Sequence, residues 1–307
     1  MKIAIFGTGA MGSIYAGKLA AAGNEVWAID CWEAHLDEIK KNCLVIEGPN
    51  GKQKICDINT SQNITSAGAC DLYIIATKAM AVEDAAQAII AVMEARSTVL
   101  TIQNGLGSGE ILERYIEKKN ILLGVADGFG ASVRRPGYVH HNAMNLIRIG
   151  EIDGRITEKV NTIKNIWQSA GFNVKAFADI NQLIWEKFLC NVSFSGPCTV
   201  FNCTVGDLMK DTAAWHIALE CGMEAYNIGR AKNISFSFED PVEYITEFGK
   251  RMPNARPSML LDHLSLRASE IDFINAMVTV LGRKLGIKTP INDTLSSIIK
   301  FREQQFR

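Results

Sequence analysis

A glycine-rich turn near the start of the chain limits the fold more strongly than any other sequence feature. It follows the apolar strand pattern Lys2–Phe6 and opens the helical pattern Ala10–Ala22. In such a turn the first glycine allows the tight bend, the second lets N–H groups approach a pyrophosphate, and the third lets the helix pack on the strand. We therefore predict a Rossmann-type dinucleotide-binding domain whose cofactor-binding turn consists of Gly7, Thr8, Gly9, Ala10, Met11 and Gly12.

An acidic residue stands where such a domain meets the adenosine ribose. Asp30 follows the strand pattern Glu25–Ile29 and lies 18 residues after Gly12, close to the ~20 typical of this group. A carboxylate accepts hydrogen bonds from ribose hydroxyls and repels a 2′-phosphate, and no Arg or Lys lies between Asp30 and Lys40. This residue alone favours NAD(H). The alternative is that Asp30 faces solvent and Lys40 or Lys41 folds back toward the cofactor.

Strand and helix patterns alternate through the first half of the chain, which is typical of a parallel sheet with crossover helices. Beyond about Ala178 the strand patterns stop and helical periods follow, the longest of them over Ser258–Leu285. The length of 307 residues suits two domains. We predict a Rossmann α/β domain over residues 1–178 and an all-α domain over residues 179–307. The other patterns are the helices Glu33–Asn42, Ala81–Glu94 and Ile156–Ala170, the strands Leu72–Ala76 and Thr98–Ile102, and an extended stretch, Val139–Ile149.

Composition narrows the class of partner. Lys and Arg number 32 against 33 Asp and Glu, with no basic block, so we expect neither a nucleic-acid nor a membrane surface but a small-molecule ligand. The eight cysteines are scattered without a C-x-x-C pair, a pattern that favours free thiols and a cytoplasmic location. His140 and His141 lack metal-ligand spacing, so no metal is expected.

Five further motifs give the chain a family resemblance. They are Ala76-Thr77-Lys78-Ala79, Gln103-Asn104-Gly105-Leu106-Gly107, Trp185-Glu186-Lys187-Phe188 with Asn191, Pro257-Ser258-Met259-Leu260, and Ser269-Glu270-Ile271-Asp272. In this order the chain resembles the ketopantoate reductase (2-dehydropantoate 2-reductase) family from Lys2 to about Arg302. The resemblance implies a Rossmann domain, 6-phosphogluconate-dehydrogenase-like C-terminal helices that close the substrate cleft, and NADPH-dependent reduction of ketopantoate to D-pantoate, a step toward pantothenate and coenzyme A.

The resemblance assigns substrate roles to residues of the second half. Lys187 matches the catalytic lysine, whose ammonium stabilises the alkoxide formed by hydride transfer and then supplies a proton. Asn191 matches a substrate-binding asparagine, and Ser195 stands where a second asparagine is usual. Lys187, Asn191 and Ser195 are spaced at i, i+4 and i+8, on one helix face. Ser258 matches the serine that binds the substrate carboxylate.

The remaining assignments concern the cofactor. Glu270 matches the glutamate that faces both substrate and nicotinamide ribose, so it counts as catalytic and as cofactor-binding. Lys78 and Asn104 each follow a predicted parallel strand, where ligands of open α/β sheets bind, and Asn104 is expected near the nicotinamide. We also place Ala131 in the cofactor-binding set.

Two departures from the family pattern keep rival hypotheses open. Asp30-Cys31-Trp32 replaces the basic residue that commonly holds the NADP phosphate, and Ser195 replaces an asparagine. Both resemble the NAD-dependent D-mandelate-dehydrogenase branch, which reduces other branched or aromatic 2-keto acids. A hypothesis of another class is a non-catalytic dinucleotide sensor, which would need only the glycine turn. The long apolar helices either bury within the chain or pair with a second subunit, which leaves a homodimer as a candidate assembly.

Overall fold

The computed structural model describes residues 1–49, 51–128, 130–143 and 145–306. The chain divides into two compact units. Unit 1 contains Met1–Gln103 and Ser108–Ile180, and unit 2 contains Asn104–Gly107 and the chain from Asn181 onward. Among the described residues no helix combines the length and the apolar character needed to cross a membrane.

Unit 1 is an α/β structure whose strands and helices alternate, and the Rossmann prediction is confirmed. A buried eight-stranded sheet has the order β12-β11-β8-β7-β6-β1-β2-β5. Its neighbours pair in parallel except β8 and β11. The elements are β1 (Lys2–Phe6), α1 (Ala10–Ala21), β2 (Glu25–Ile29), α2 (Glu33–Asn42), β3 (Leu44–Gly48), β4 (Gly51–Ile55), β5 (Ile58–Ser61), β6 (Leu72–Ile75), α3 (Val82–Ile90), β7 (Thr98–Thr101), α4 (Ser108–Leu112), β8 (Ile121–Asp127), β9 (Gly130–Arg135), β10 (Tyr138–Ala143), β11 (Leu146–Glu151), α5 (Glu158–Ser169) and β12 (Val174–Ala176).

The strand order puts the glycine turn at the middle of the sheet. β1 lies between β2 and β6, and its residues Ile3, Ala4 and Ile5 are fully buried, as expected for a strand covered on both faces. Because neighbouring strands are parallel, the segments that follow β1, β2 and β6 all leave the same edge of the sheet. The glycine turn, Asp30 and Lys78 stand in those segments.

A second sheet, ordered β4-β3-β10-β9, corrects one sequence expectation. Its antiparallel β3–β4 hairpin pairs Leu44 with Ile55 and so brings the flanking residues Cys43 and Cys56 together, with Cα atoms 4.4 Å apart, as a disulfide. The prediction that all eight cysteines are free thiols is therefore wrong for this pair. Spacing in the sequence could not reveal the pair, because the hairpin register creates it. Among the described residues the other six cysteines form no disulfide bond.

Unit 2 is helical, in agreement with the predicted all-α second half. A long central helix is surrounded by shorter ones over an apolar core that includes Phe188, Val192 and Ile245. The elements are α6 (Ile180–Phe201), α7 (Val205–Lys210), α8 (Thr212–Ala231), α9 (Pro241–Lys250), α10 (Ser258–Leu264), α11 (Asn275–Leu285) and α12 (Pro290–Glu303).

The single long helix predicted over Ser258–Leu285 is wrong, because the structure divides this stretch into α10 and α11. α10 ends where Leu266 adopts a positive φ of 51° and the Arg267 N–H donates to the carbonyl of Asp262, a left-handed termination that stops the helical hydrogen bonds. A short 3-10 turn, Ile271–Phe273, precedes α11. The apolar spacing was correct for each helix but gave no sign of the break.

Candidate active site

The glycine turn leaves open space at one glycine only. A Cβ on Gly7, whose φ is +82°, would lie 2.5 Å from the Thr77 nitrogen, and a Cβ on Gly12 would lie 1.9 Å from the Gly7 oxygen. A Cβ on Gly9 would meet nothing within 4 Å. Gly7 and Gly12 therefore let the backbone fold tightly on itself, whereas Gly9 keeps the space above the turn clear. This is the arrangement that a pyrophosphate needs.

The first turn of α1 supplies donors to that space. Gly9 is the N-cap residue, and the first hydrogen bond of the helix runs from the Ser13 N–H to the Gly9 carbonyl at 3.0 Å. The N–H groups of the three residues between them have no partner within the helix and favour an anion. Beside Gly7, the buried hydroxyl of Thr77 has no hydrogen-bond partner among the described residues. These features fit a dinucleotide.

Asp30 is held at the end of β2 by two contacts. Its carboxylate lies 3.4 Å from the Thr8 hydroxyl and accepts the Trp32 N–H at 2.9 Å. Lys40 follows Glu33, the first residue of α2, by seven positions, or roughly 10 Å along the helix axis at 1.5 Å per residue. Lys41 pairs with Asp37 instead. Among the described residues neither lysine forms an ion pair with Asp30.

A buried histidine behind the turn was missed in the sequence. His35 is fully buried, its Nδ1 accepts the Gly137 N–H at 3.1 Å, and its Nε2 lies 3.0 Å from the Ser13 hydroxyl. That hydroxyl donates to the Thr8 carbonyl at 2.7 Å. Burial lowers the pKa of His35. The neutral ring supplies the acceptor for the Gly137 N–H and the donor for the Ser13 hydroxyl. No sequence motif marks His35, because its partners are distant in the chain.

The other cofactor residues predicted in unit 1 have different positions. Lys78 is half-buried, lies three residues after the end of β6 and immediately precedes the 3-10 turn Ala79–Ala81, at the sheet edge where the glycine turn also lies. Ala131 lies on β9 of the second sheet, opposite His141, and its side chain packs against the apolar core of the unit. Ala131 is half-buried there, and its place in the cofactor-binding set stays a prediction.

Helix α6 carries a polar stripe on an otherwise buried surface. From Trp185 to Thr199 every residue is buried except Lys187 and Asn191, which are half-buried. Ser195, one turn further along, is 5% exposed. Positions four apart lie on the same face of a helix, about 6 Å apart along its axis. The structure thus brings the three predicted substrate residues of this helix onto one face, on which Lys187 and Asn191 are partly exposed and Ser195 is buried.

Three more predicted residues also belong to unit 2. Glu270 is 8% exposed and stands directly before the Ile271–Phe273 turn. Asn104 lies in the Asn104–Gly107 segment, which is fixed to that turn by a 3.0 Å hydrogen bond from the Leu106 N–H to the Phe273 carbonyl. The segment expected near the nicotinamide therefore lies next to the turn that Glu270 begins.

Ser258 is an exposed residue at the first position of α10. It does not act as the helix N-cap, since that position belongs to Pro257. The short α10 also differs from the long helix whose N-terminus was expected to attract a carboxylate. Among the described residues no group of three or more His, Cys, Asp or Glu side chains could hold a metal ion.

Comparisons with known proteins agree with this geometry. The family model described as "Ketopantoate reductase PanE/ApbA" matches residues 3–154, and that described as "Ketopantoate reductase PanE/ApbA C terminal" matches residues 179–303. A 2-dehydropantoate 2-reductase of Streptococcus pyogenes serotype M6 is 28% identical over 304 residues, which cover 99% of this chain and 98% of that protein.

Two solved structures have the same fold over almost their whole length. A PanE/ApbA family ketopantoate reductase from Ralstonia eutropha JMP134 superposes with a TM-score of 0.92 at 24% identity, covering 99% of each chain. A D-mandelate dehydrogenase with NADH and anilino(oxo)acetate gives a TM-score of 0.91 at 26% identity, covering 100% of this chain and 99% of that one. The family models together match most of the sequence, and the chain belongs to the ketopantoate reductase PanE/ApbA family.

Proposed function

We propose that this protein is a 2-dehydropantoate 2-reductase that reduces ketopantoate to D-pantoate with NADH or NADPH, as a step toward pantothenate and coenzyme A in the cytoplasm. The observation that carries the proposal is the pair Lys187 and Asn191, which are half-buried on a helix whose other residues from Trp185 to Thr199 are all buried. A partly exposed lysine and asparagine on such a helix are better placed to bind a small polar ligand than to pack in the core. Family membership supports the same reaction.

Unit 1 is proposed to bind the dinucleotide and unit 2 the keto acid. When bound, the nicotinamide ring supplies a hydride to the keto carbon. The N–H groups at the start of α1 and the space above Gly9 would hold the pyrophosphate, and Asp30 would accept hydrogen bonds from the adenosine ribose. Its negative charge supports NADH as the preferred cofactor over NADPH.

Lys187 is proposed to act at the oxygen of the reacting ketone. As the carbonyl becomes an alkoxide, the ammonium group stabilises the negative charge and then transfers one proton to it, which completes the hydroxyl of the product. Asn191 and Ser195, on the same face of α6, would orient the substrate through hydrogen bonds. Ser258 is proposed to receive the substrate carboxylate, and Glu270 to contact the substrate and the nicotinamide ribose.

A second candidate is reduction of another branched or aromatic 2-keto acid, as in a D-mandelate-type dehydrogenase. Ser195 favours it, because a serine is shorter than the asparagine usual in the family and leaves more room at that end of the stripe. Asp30 favours it as well, since a carboxylate at that position suits NADH. A D-mandelate dehydrogenase crystallised with NADH is one of the structural neighbours.

A substrate and cofactor panel tests both candidates. Loss of absorbance at 340 nm is measured with ketopantoate, 2-ketoisovalerate and benzoylformate, each with NADH and with NADPH. We expect the highest kcat/KM with ketopantoate and NADH. Faster reduction of either other keto acid would overturn the pantoate assignment in favour of the second candidate. Dinucleotide binding without oxidation by any of the three would favour a sensor.

The role of Lys187 is tested with a matched pair of variants. Lys187→Ala removes the charge and the proton donor, so kcat should fall about 10²–10⁴-fold. Lys187→Arg keeps a positive charge but holds its proton much more tightly, so it should recover only part of the loss. Wild-type turnover in Lys187→Ala would exclude this lysine from the reaction.

A further inference from the structure

A chain of buried polar side chains joins four helices of unit 2. Glu224 on α8 is 8% exposed, and Asn292 on α12 and Asn275 at the start of α11 are fully buried. The Glu224 carboxylate accepts the N–H groups of Ile291 and Asn292, at 2.9 and 3.0 Å, and the Asn292 side-chain amide at 2.7 Å. The amide of Asn292 in turn receives a hydrogen bond from Asn275 at 2.9 Å.

The Glu224 carboxylate determines which way each side-chain amide in this series of hydrogen bonds is oriented. Because the Glu224 oxygens receive N–H groups, the NH₂ group of Asn292 faces them and its carbonyl oxygen faces Asn275. Asn275 must then present its own NH₂ group to Asn292. The second hydrogen of that group points to the Val192 carbonyl on α6, at 2.9 Å. The orientation of the Asn275 amide is therefore determined from both ends.

Val192 is a sensitive point on the substrate-binding helix. It follows Asn191 directly and lies five residues after Lys187. Ser193 is the next residue along the helix. Its carbonyl lacks the usual helical hydrogen bond, because Pro197 four residues later has no N–H to donate. The helix is thus weakened immediately after Val192, and the Asn275 amide provides a hydrogen bond from outside at this place.

The same asparagine also ends the segment that begins with Glu270. Between Glu270 and Asn275 lies the Ile271–Phe273 turn, whose Phe273 carbonyl binds the Leu106 N–H. We propose that Asn275 is a positioning residue: it holds the polar stripe of α6 and the segment that begins with Glu270 in a fixed position relative to each other. This inference rests on the proposed keto acid reduction and assigns Asn275 no contact with the substrate.

The carbonyl oxygen of the Asn275 side chain supports a positioning role. The Asn275 Oδ1 atom is buried without a hydrogen-bond partner among the described residues. It faces Gly196, where an added Cβ would lie 2.7 Å from it. An unsatisfied buried oxygen destabilises a protein, so stability alone does not explain this asparagine, whereas its two N–H bonds are both used.

Steady-state kinetics of Asn275→Ala test the proposal against a control on the same helix. Thr279→Val removes a buried hydroxyl that lies one turn along α11 and 3.5 Å from the Thr289 hydroxyl. In the described part of the chain this hydroxyl makes no hydrogen bond to α6. For Asn275→Ala we expect the keto acid KM to rise and kcat/KM to fall about five- to fiftyfold, with the NADH Kd unchanged within threefold. Thr279→Val should leave all three constants within twofold of wild type. Equal KM values for Asn275→Ala and wild type would overturn the proposal.

Gly196→Ala provides a double-mutant cycle. The added methyl should displace the Asn275 amide and raise the keto acid KM, but in the Asn275→Ala background the vacated space should accept it, so the two effects should be strongly non-additive. Additive effects would mean that Gly196 acts without Asn275 and would contradict the proposal.

Hydrogen exchange gives a readout that needs no turnover. Amides of α6 from Lys187 to Ser195 should exchange faster in Asn275→Ala than in Thr279→Val. If the wild type reduces no keto acid, the proposed function fails, and exchange still decides whether Asn275 holds this helix. Unchanged exchange in Asn275→Ala would refute the positioning role by itself.

Discussion

Gly9→Ala and Gly12→Ala should separate ligand binding from folding within one turn. A methyl on Gly9 enters open space, since nothing lies within 4 Å of its Cβ position. A methyl on Gly12 would stand 1.9 Å from the Gly7 oxygen and 2.9 Å from the Gly7 carbon. Both atoms closer than 3 Å to the added methyl are backbone atoms, so no side chain can move aside to relieve the clash.

The two magnitudes follow from these contacts. Overpacking typically costs about 1–3 kcal/mol, and a backbone clash as close as that at Gly12 should reach the upper end. At about 2–4 °C per kcal/mol for a unit of this size, Gly12→Ala should lower Tm by about 6–12 °C. Gly9→Ala should change Tm by less than about 2 °C. The Gly9 methyl should, however, block a hydrogen bond between a backbone N–H and a phosphate, which is worth about 1.5–3 kcal/mol. Loss of this bond should raise the NADH Kd about 10- to 150-fold.

Thermal unfolding and a fluorescence titration with NADH measure the two quantities on the same preparations. ADP-ribose as a second ligand shows whether the loss belongs to the pyrophosphate half of the dinucleotide rather than to the nicotinamide. A Gly9→Ala protein that binds NADH and ADP-ribose as tightly as wild type would refute the placement of the pyrophosphate above Gly9. A fall in Tm equal to that of Gly12→Ala would refute the open space itself.

Three further predictions concern unit 1. Asp30→Ser removes the charge at the end of β2, so the ratio of kcat/KM for NADPH to that for NADH should rise at least about tenfold; an unchanged ratio in the 340 nm assay would remove Asp30 from cofactor selection. Burial lowers the pKa of His35, so the unfolded chain binds more protons, and the stability that His35 contributes is complete above about pH 6.5 and falls as pH decreases below it. Tm measured from pH 7.5 to 5 should therefore fall less steeply in His35→Asn, and an equal slope would show that other groups titrate. The Cys43–Cys56 disulfide spans 13 residues, so reduction, or Cys56→Ser, should cost about 3 kcal/mol, seen as a lower Tm under dithiothreitol in wild type only.

The sequence predicted well those features that depend on local patterns. The glycine turn, the alternating strands of unit 1 and the one-sided spacing of Lys187 and Asn191 all follow from periodicity and from residue type within a few positions. The break after α10 was missed because Leu266, which adopts a positive φ, is not a residue type that signals the end of a helix. An apolar period alone cannot distinguish one helix from two that bury the same face.

Long-range contacts account for the other differences. The pairing of Cys43 with Cys56 depends on the register of the β3–β4 hairpin, and the role of His35 depends on Ser13 and Gly137, 22 and 102 residues away. Neither relation leaves a trace in spacing. Asn275 was invisible for the same reason, since its partner Val192 lies 83 residues earlier.

The Asn104–Gly107 segment shows why a domain boundary drawn as one cut through a sequence can mislead. A division at residues 178 and 179 assigns Asn104 to the dinucleotide-binding half, whereas the structure groups it with the helical unit. The reason is physical: Gly105 has a φ of +84°, and a Cβ there would lie 2.2 Å from the Phe273 carbonyl oxygen, so only glycine allows this close approach. The Leu106 N–H then binds that same oxygen. Because Glu270 begins the turn that ends at Phe273, the position of Asn104 relative to Glu270 is set by backbone contacts within unit 2.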